Sequence, residues 1–140
     1  MNFITMAMQN TKTVAMTALS PNLAVRNVND TVEYYSEILG FELIMSVPEE
    51  GKFDWAMMKQ GEITLMFQES KSLADEYPIL KGRENGLMTL YINIDNIDTF
   101  YDNISDYVIV LKKLGYTSYG TKEFAIQDLN GYVLTFAGNY

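Results

Sequence analysis

The chain has 140 residues, enough for one domain with a core of its own and too few for two ordinary ones. Hydrophobic residues make up 48% and charged residues 20%, a globular balance in which no apolar run reaches the length of a membrane span. Ten basic residues against 18 acidic ones leave a formal charge of −8, which repels phosphate backbones and anionic membranes and makes both poor partners.

The same field favours a cationic ligand, although solubility alone accounts for such a charge. With no cysteine and no histidine, disulfides, thiolate nucleophiles, Ser-His-Asp arrangements and imidazole metal sites are ruled out. Met1 to Ala18 lacks a basic region ahead of its apolar residues, and Gln9 to Thr13 interrupts them. No secretory signal is expected, and a cytoplasmic location is the default.

Residues 1–19 form an extension in which Thr11 to Leu19 alternates too weakly for a firm edge strand. Pro21 to Arg26 alternates cleanly, with Leu23 and Val25 on one face, and predicts a strand. Val28, Val32, Tyr35 and Leu39 then recur at helical spacing, with Asn29 or Asp30 as the expected N-cap and Gly40 at the left-handed exit. Phe41 to Val47 reads as a second strand, and Phe53 to Lys59 and Glu62 to Gln68 as two more around Gln60-Gly61. Residues 70–86 are charged, contain Pro78, Gly82 and Gly86, and read as a linker with at most one helical turn near Ser72 to Glu76.

Beyond the linker the pattern restarts. Leu87 to Ile94 predicts a strand, and Ile97, Phe100, Tyr101 and Ile104 predict a helix over Asn96 to Ile104, capped by Asp95 or Asn96. Val108 to Leu114 continuing towards Tyr116, Lys122 to Gln127, and Tyr132 to Ala137 predict the remaining strands, the last hairpin closing through Asp128-Leu129-Asn130-Gly131. Glu33 to Ile38 superposes on Thr99 to Ile104, an internal repeat 66 residues apart. The expected architecture is α+β: one domain over 20–140, built from two β-α-β-β-β modules at 20–69 and 87–140.

Strand parity sorts the faces. Leu23, Val25, Ile63, Leu65, Phe67, Met88, Leu90, Ile92, Ile94, Leu134 and Phe136 form faces able to pack on helices. The opposite faces hold Asn22 and Ala24; Thr64, Met66 and Gln68; Thr89, Tyr91 and Asn93; Val133 and Thr135. Such a mixture suits either a solvated sheet face or a cleft for an organic molecule. Trp55, the only tryptophan, sits on a strand of ambiguous parity and could serve as an aromatic platform or a core residue. Asp54, Glu69 and Glu123 are candidate partners for a cationic group, and each is otherwise a solvated surface charge.

The element order, with Tyr34-Tyr35-x-x-Ile38-Leu39-Gly40-Phe41 at the helix exit and Pro21-Asn22-Leu23 at its start, resembles the vicinal oxygen chelate superfamily. The superfamily takes in glyoxalases, extradiol dioxygenases and bleomycin-resistance proteins, and the likeness is greatest to the last of these. The resemblance implies paired modules forming a half-open barrel around a cleft, with helices outside. It also implies a homodimer that completes its clefts across subunits, and a flat, cationic, drug-like ligand. Its metal-dependent members place histidine or glutamate where this chain has Ser20, Thr64 or Met66, Thr89 and Thr135. None of these is a ligand suited to a transition metal, so neither metal nor cofactor is expected. The usual proline of the last turn is Leu129 here. The competing reading is an enzyme of the same superfamily whose metal is recruited by carboxylates such as Glu69 and Glu123, with Gln68 or Glu69 one register step from the second ligand position.

Overall fold

A computed structural model describes residues 2–6, 14–83 and 88–139. The first module runs β1 (Asn22–Val25), α1 (Val28–Glu37), β2 (Glu42–Val47), β3 (Trp55–Gln60) and β4 (Ile63–Glu69). A short helix, α2 (Ser70–Glu76), and a single 3-10 turn, Pro78–Leu80, follow. The second module runs β5 (Thr89–Asn93), α3 (Ile97–Ile104), β6 (Ile109–Tyr116), β7 (Thr121–Gln127) and β8 (Val133–Asn139). The expected α+β order is therefore present. Residues 14–19 form no strand, while Thr11 to Thr13 of the suggested edge strand, and Leu87, lie outside the described residues.

Local chemistry sets the helix limits, and at α1 it differs from expectation. The N-cap is Asn27: its side chain accepts the Asp30 N–H at 2.9 Å and its carbonyl accepts that of Thr31. Asn29 instead clamps a loop, accepting from the Phe53 N–H and donating to the Gly51 carbonyl, both at 2.9 Å. Asn27→Ala should cost about 1 kcal/mol by orphaning that first-turn donor, measurable as a lower urea midpoint at unchanged m-value. Gly40 ends the helix at φ +77°, a backbone that a Cβ disfavours.

Residues 70–76 hold nearly two helical turns where one was expected. Glu69 makes them possible by accepting the Ser72 N–H at 2.9 Å. Among the described residues no helix is long and apolar enough to cross a membrane.

Each module folds into an open four-stranded sheet, ordered β1-β4-β3-β2 and β5-β8-β7-β6. In both, the outer strand preceding the helix pairs in parallel with the module's last strand, and all other pairs are antiparallel. Parity holds for most of the inward face: Leu23, Val25, Leu65, Phe67, Leu134 and Phe136 are each no more than 3% exposed, whereas Met88, assigned to the same face, precedes β5 and is exposed.

The helix-bearing faces of both sheets share one hydrophobic core, in which Tyr35, Leu39 and Phe41 join Phe124, Ile126 and Phe136. Polar bonds cross the same junction. The Tyr35 hydroxyl donates to Asp128 Oδ2 at 2.6 Å, the Tyr132 hydroxyl to the Ala24 carbonyl at 2.7 Å, and the Asn130 amide to Thr31 Oγ1 at 3.0 Å. Because the modules meet through their helix sides, their other faces turn outward.

Candidate functional site

On the outward face of the first sheet, cross-strand register resolves the ambiguity at β3. Trp55 pairs with Gln68, Met57 with Met66 and Lys59 with Thr64, while Ala56 and Met58 point into the core at 0% exposure. Trp55 thus shares a face with Asn22, Thr64, Met66 and Gln68. The polar groups there are already engaged with one another. Asn22 Nδ2 donates to Gln68 Oε1 at 2.9 Å, Gln68 Nε2 donates to Ser72 Oγ at 3.1 Å, and the Ser20 and Thr64 hydroxyls share a hydrogen bond of 2.5 Å. Met45 and Val47, paired with Met57 and Trp55 on the edge strand, extend the face as exposed apolar surface.

The outward face of the second sheet is organised around one carboxylate. Register across β8 places Tyr91 opposite Thr135, and Asn93 opposite Ala137, which in turn faces Glu123. Ala137 has only a methyl group, so the long Tyr91 side chain passes over it to Glu123 on the next strand but one. Glu123 Oε2 accepts the Tyr91 hydroxyl at 2.5 Å and the Thr121 hydroxyl at 2.9 Å; Tyr119 donates across both carboxylate oxygens at 3.0 Å. Lys112 Nζ stands 3.7 Å from Oε1.

The carboxylate is only 2% exposed, yet its cover is thin: Tyr91 and Tyr119 are themselves 55% and 66% exposed. It lies under a lid of two phenols rather than deep in protein. The Tyr91 hydrogen bond, then those of Thr121 and Tyr119 and the Lys112 charge, outweigh desolvation and hold its pKa below the usual glutamate value. Glu123 is therefore ionised at neutral pH, and the hydrogen bonds it accepts, then desolvation and its charge, push the two phenols upward.

The remaining candidates are placed differently. Glu69 belongs to the opposite face of β4, opposite Val25, and is occupied as the α2 cap. Asp54 is exposed just before β3, and its backbone N–H and carbonyl bond Val47 and Glu69. Thr89 and Thr135 share the second sheet's outward face with Tyr91, while Asn93 lies at the end of β5 beside the junction between modules. Within one chain the two groups of cleft candidates sit on separate sheets turned away from each other.

The positions that carry metal ligands elsewhere offer hydroxyls and a thioether, and two of those hydroxyls, of Ser20 and Thr64, are spent on one another. Among the described residues no three His, Cys, Asp or Glu side chains gather as a cation site. This donor set does not fit a divalent ion. Sequence parity missed Lys112, Tyr119 and Thr121. The signal for Glu123 itself was available, since buried Phe124 and Ile126 on β7 force Glu123 and Ala125 to the outward side.

Against known proteins, no curated sequence matches the chain. Solved structures share its fold. TioX from Micromonospora sp. ML1 superposes with a TM-score of 0.77 at 16% identity, covering 89% of this chain and 100% of that one. The antibiotic-binding protein TnmS3 from Streptomyces sp. CB03234 gives 0.70 at 17%, covering 91% and 99%. The bleomycin-binding protein of bleomycin-producing Streptomyces verticillus, in complex with copper(II)-bleomycin, gives 0.64 at 20%, also covering 91% and 99%. A sequence profile matches residues 14–136, nearly the whole chain, and by that match the chain belongs to the glyoxalase/bleomycin resistance protein/dioxygenase superfamily.

Proposed function

We propose that the protein is a metal-free binding protein that sequesters a cationic aromatic or drug-like small molecule. The cleft would be formed when the outward face of one module meets that of the other module in a second copy. The observation that carries this reading is Glu123, an ionised carboxylate ringed by Tyr91, Tyr119 and Thr121, with the exposed Lys112 as the one cation near it among the described residues. A ligand ammonium or guanidinium would take the place of Lys112, which is 58% exposed and too distant for a tight pair. The tyrosine rings add cation–π attraction and Trp55, brought by the second copy, a stacking surface.

Named antibiotic-binding relatives of the same fold support the reading. So does the row of exposed apolar residues along the edge strands: Leu43, Ile44, Met45 and Val47 on β2 and Ile109 and Leu111 on β6. Apolar edges of this kind ask for cover.

Two measurements test the proposal. Sedimentation should find a dimer of the 16.0 kDa chain at micromolar concentration, and a monomer at every concentration refutes the shared cleft. A thermal-shift screen against cationic glycopeptides, aromatic antibiotics and small metabolites should return binders that raise the midpoint by mass action and quench Trp55. Their affinity should fall with added salt. If anionic or neutral compounds alone bind, the cationic ligand class is wrong.

A further inference from the structure

A half-open cavity of about 480 Å³ lies between the modules, on the helix side of their junction and reaching the end of β5 at Asn93. Its floor is apolar: Leu39 and Phe41 from the first module, Ile63 from β4, and Ile92, Phe100 and Phe136 from the second. Leu39, Phe41 and Phe136 are buried beneath, while Ile63, Ile92 and Phe100 are only partly covered, so the shared core is left open here.

Carboxamides predominate on the rim. Gln60, Asn93, Asn96 and Asn103 supply four carboxamides, and none of these side chains bonds another described residue. Thr99 adds a hydroxyl one helical turn before Asn103, on the same side of α3. Glu62 and Asp95 contribute negative charge, and among the described residues no lysine or arginine lines the cavity. The size is that of a small-molecule site, and an apolar floor with a few converging polar groups is its usual construction.

We infer that this cavity is a second binding site, separate from the proposed cleft, for a planar heterocycle that carries a carboxamide or ring-amide edge and no negative charge. The flat ring covers Ile63, Ile92 and Phe100. Its amide edge exchanges paired N–H and C=O hydrogen bonds with the rim carboxamides, each of which offers both a donor and an acceptor. An anionic ligand of the same shape is repelled by Glu62 and Asp95, with no cation among the described lining residues to compensate. Because the walls come from both modules, an occupant also bridges them.

Nicotinamide and inosine, whose ring amide presents N–H and C=O side by side, are suitable probes, with nicotinate and inosine monophosphate as their anionic counterparts. In ¹⁵N-labelled protein, nicotinamide or inosine should shift the side-chain amide resonances of Gln60, Asn96 and Asn103, saturating at about millimolar concentration for ligands so small. Nicotinate and inosine monophosphate should bind at least tenfold more weakly. The double variant Thr99→Ala, Asn103→Ala alters two exposed positions on α3, raises helix propensity, and should weaken nicotinamide at least tenfold without lowering the unfolding midpoint. A cationic binder found for the outward faces should keep its affinity in that variant, so the two sites stand or fall separately. The proposal is overturned if neither neutral probe shifts the rim amides, if the anions bind equally well, or if the shifts cluster around Tyr91 and Glu123. It is also overturned if the double variant binds as the parent does.

Discussion

Replacing Asp128 by alanine is expected to destabilise the fold by about 3–5 kcal/mol, the range for breaking a buried, hydrogen-bonded charged group. One carboxylate, 2% exposed, serves three donors: its Oδ2 accepts the hydroxyl of fully buried Tyr35, and its Oδ1 accepts the Asn130 and Tyr132 N–H groups at 2.8 and 2.9 Å. Alanine orphans all of them and severs a bond between the modules. The Asp128→Asn variant would keep the Oδ1 acceptor and turn its amide towards a phenol able to accept, so the loss should be much smaller.

The pH dependence separates the effects further. Burial is the largest influence on Asp128 and raises its pKa above the ordinary value, against the lowering from Tyr35 and the backbone donors. The folded state therefore takes up this proton before the unfolded state does. The cost of burying the charge is fully present above the folded pKa and is relieved as pH falls through it towards the unfolded value. Relative to wild type, Asp128→Asn should thus cost more at acidic pH than at neutral pH in urea titrations. Equal damage from the asparagine and alanine variants at pH 7 would show that the charge itself, and not the acceptor geometry, holds the turn.

Period and parity carried most of the fold, because each β-strand buries one face and each main helix one stripe. Even the repeat at 66 residues was legible, since both modules must solve the same packing problem. The errors arose where a side chain acts through a partner distant in sequence. Asn27 caps α1 because β1 ends at Val25 and the helix starts at Val28, immediately after it. The apolar stripe showed the turn but suggested Asn29 or Asp30 as the cap, whereas Asn29 is claimed by the loop at Gly51 and Phe53 and Asp30 supplies the N–H that Asn27 accepts. Helix α2 reads short in the sequence because its cap, Glu69, looks like the end of a strand and a spare charge. Glu123 passes for an ordinary surface carboxylate for a similar reason. Its cover comes from Tyr119 and from Tyr91, the latter 32 residues earlier and two strands away, reaching across the small Ala137 that faces Glu123. Pattern shows which face a residue occupies; it does not show which neighbours fill the space above it.

For a cationic binder returned by the thermal-shift screen, Glu123→Gln should reduce affinity about a hundredfold, as truncating one side of an enclosed charge pair does. Glutamine keeps an oxygen to accept from Tyr91 or Tyr119, so the rings need not collapse, and the fold should survive. The pH profile supplies a second reading. Glu123 is held below the usual glutamate pKa, first by Tyr91, so wild-type affinity should stay level through the ordinary carboxylate range and fall only at more acidic pH. In the absence of ligand the sign is the same: the stabilisation from Glu123 is present above the unfolded pKa and disappears as pH falls through the lowered folded value. Glu123→Gln should abolish both acid limbs and most of the salt dependence of binding, while Tyr91→Phe should weaken binding and move the acid limb upward by removing the strongest donor to the carboxylate. If Glu123→Gln binds the cation as tightly as wild type, the carboxylate serves only to brace the two tyrosines, and the ligand is recognised by the aromatic surface alone.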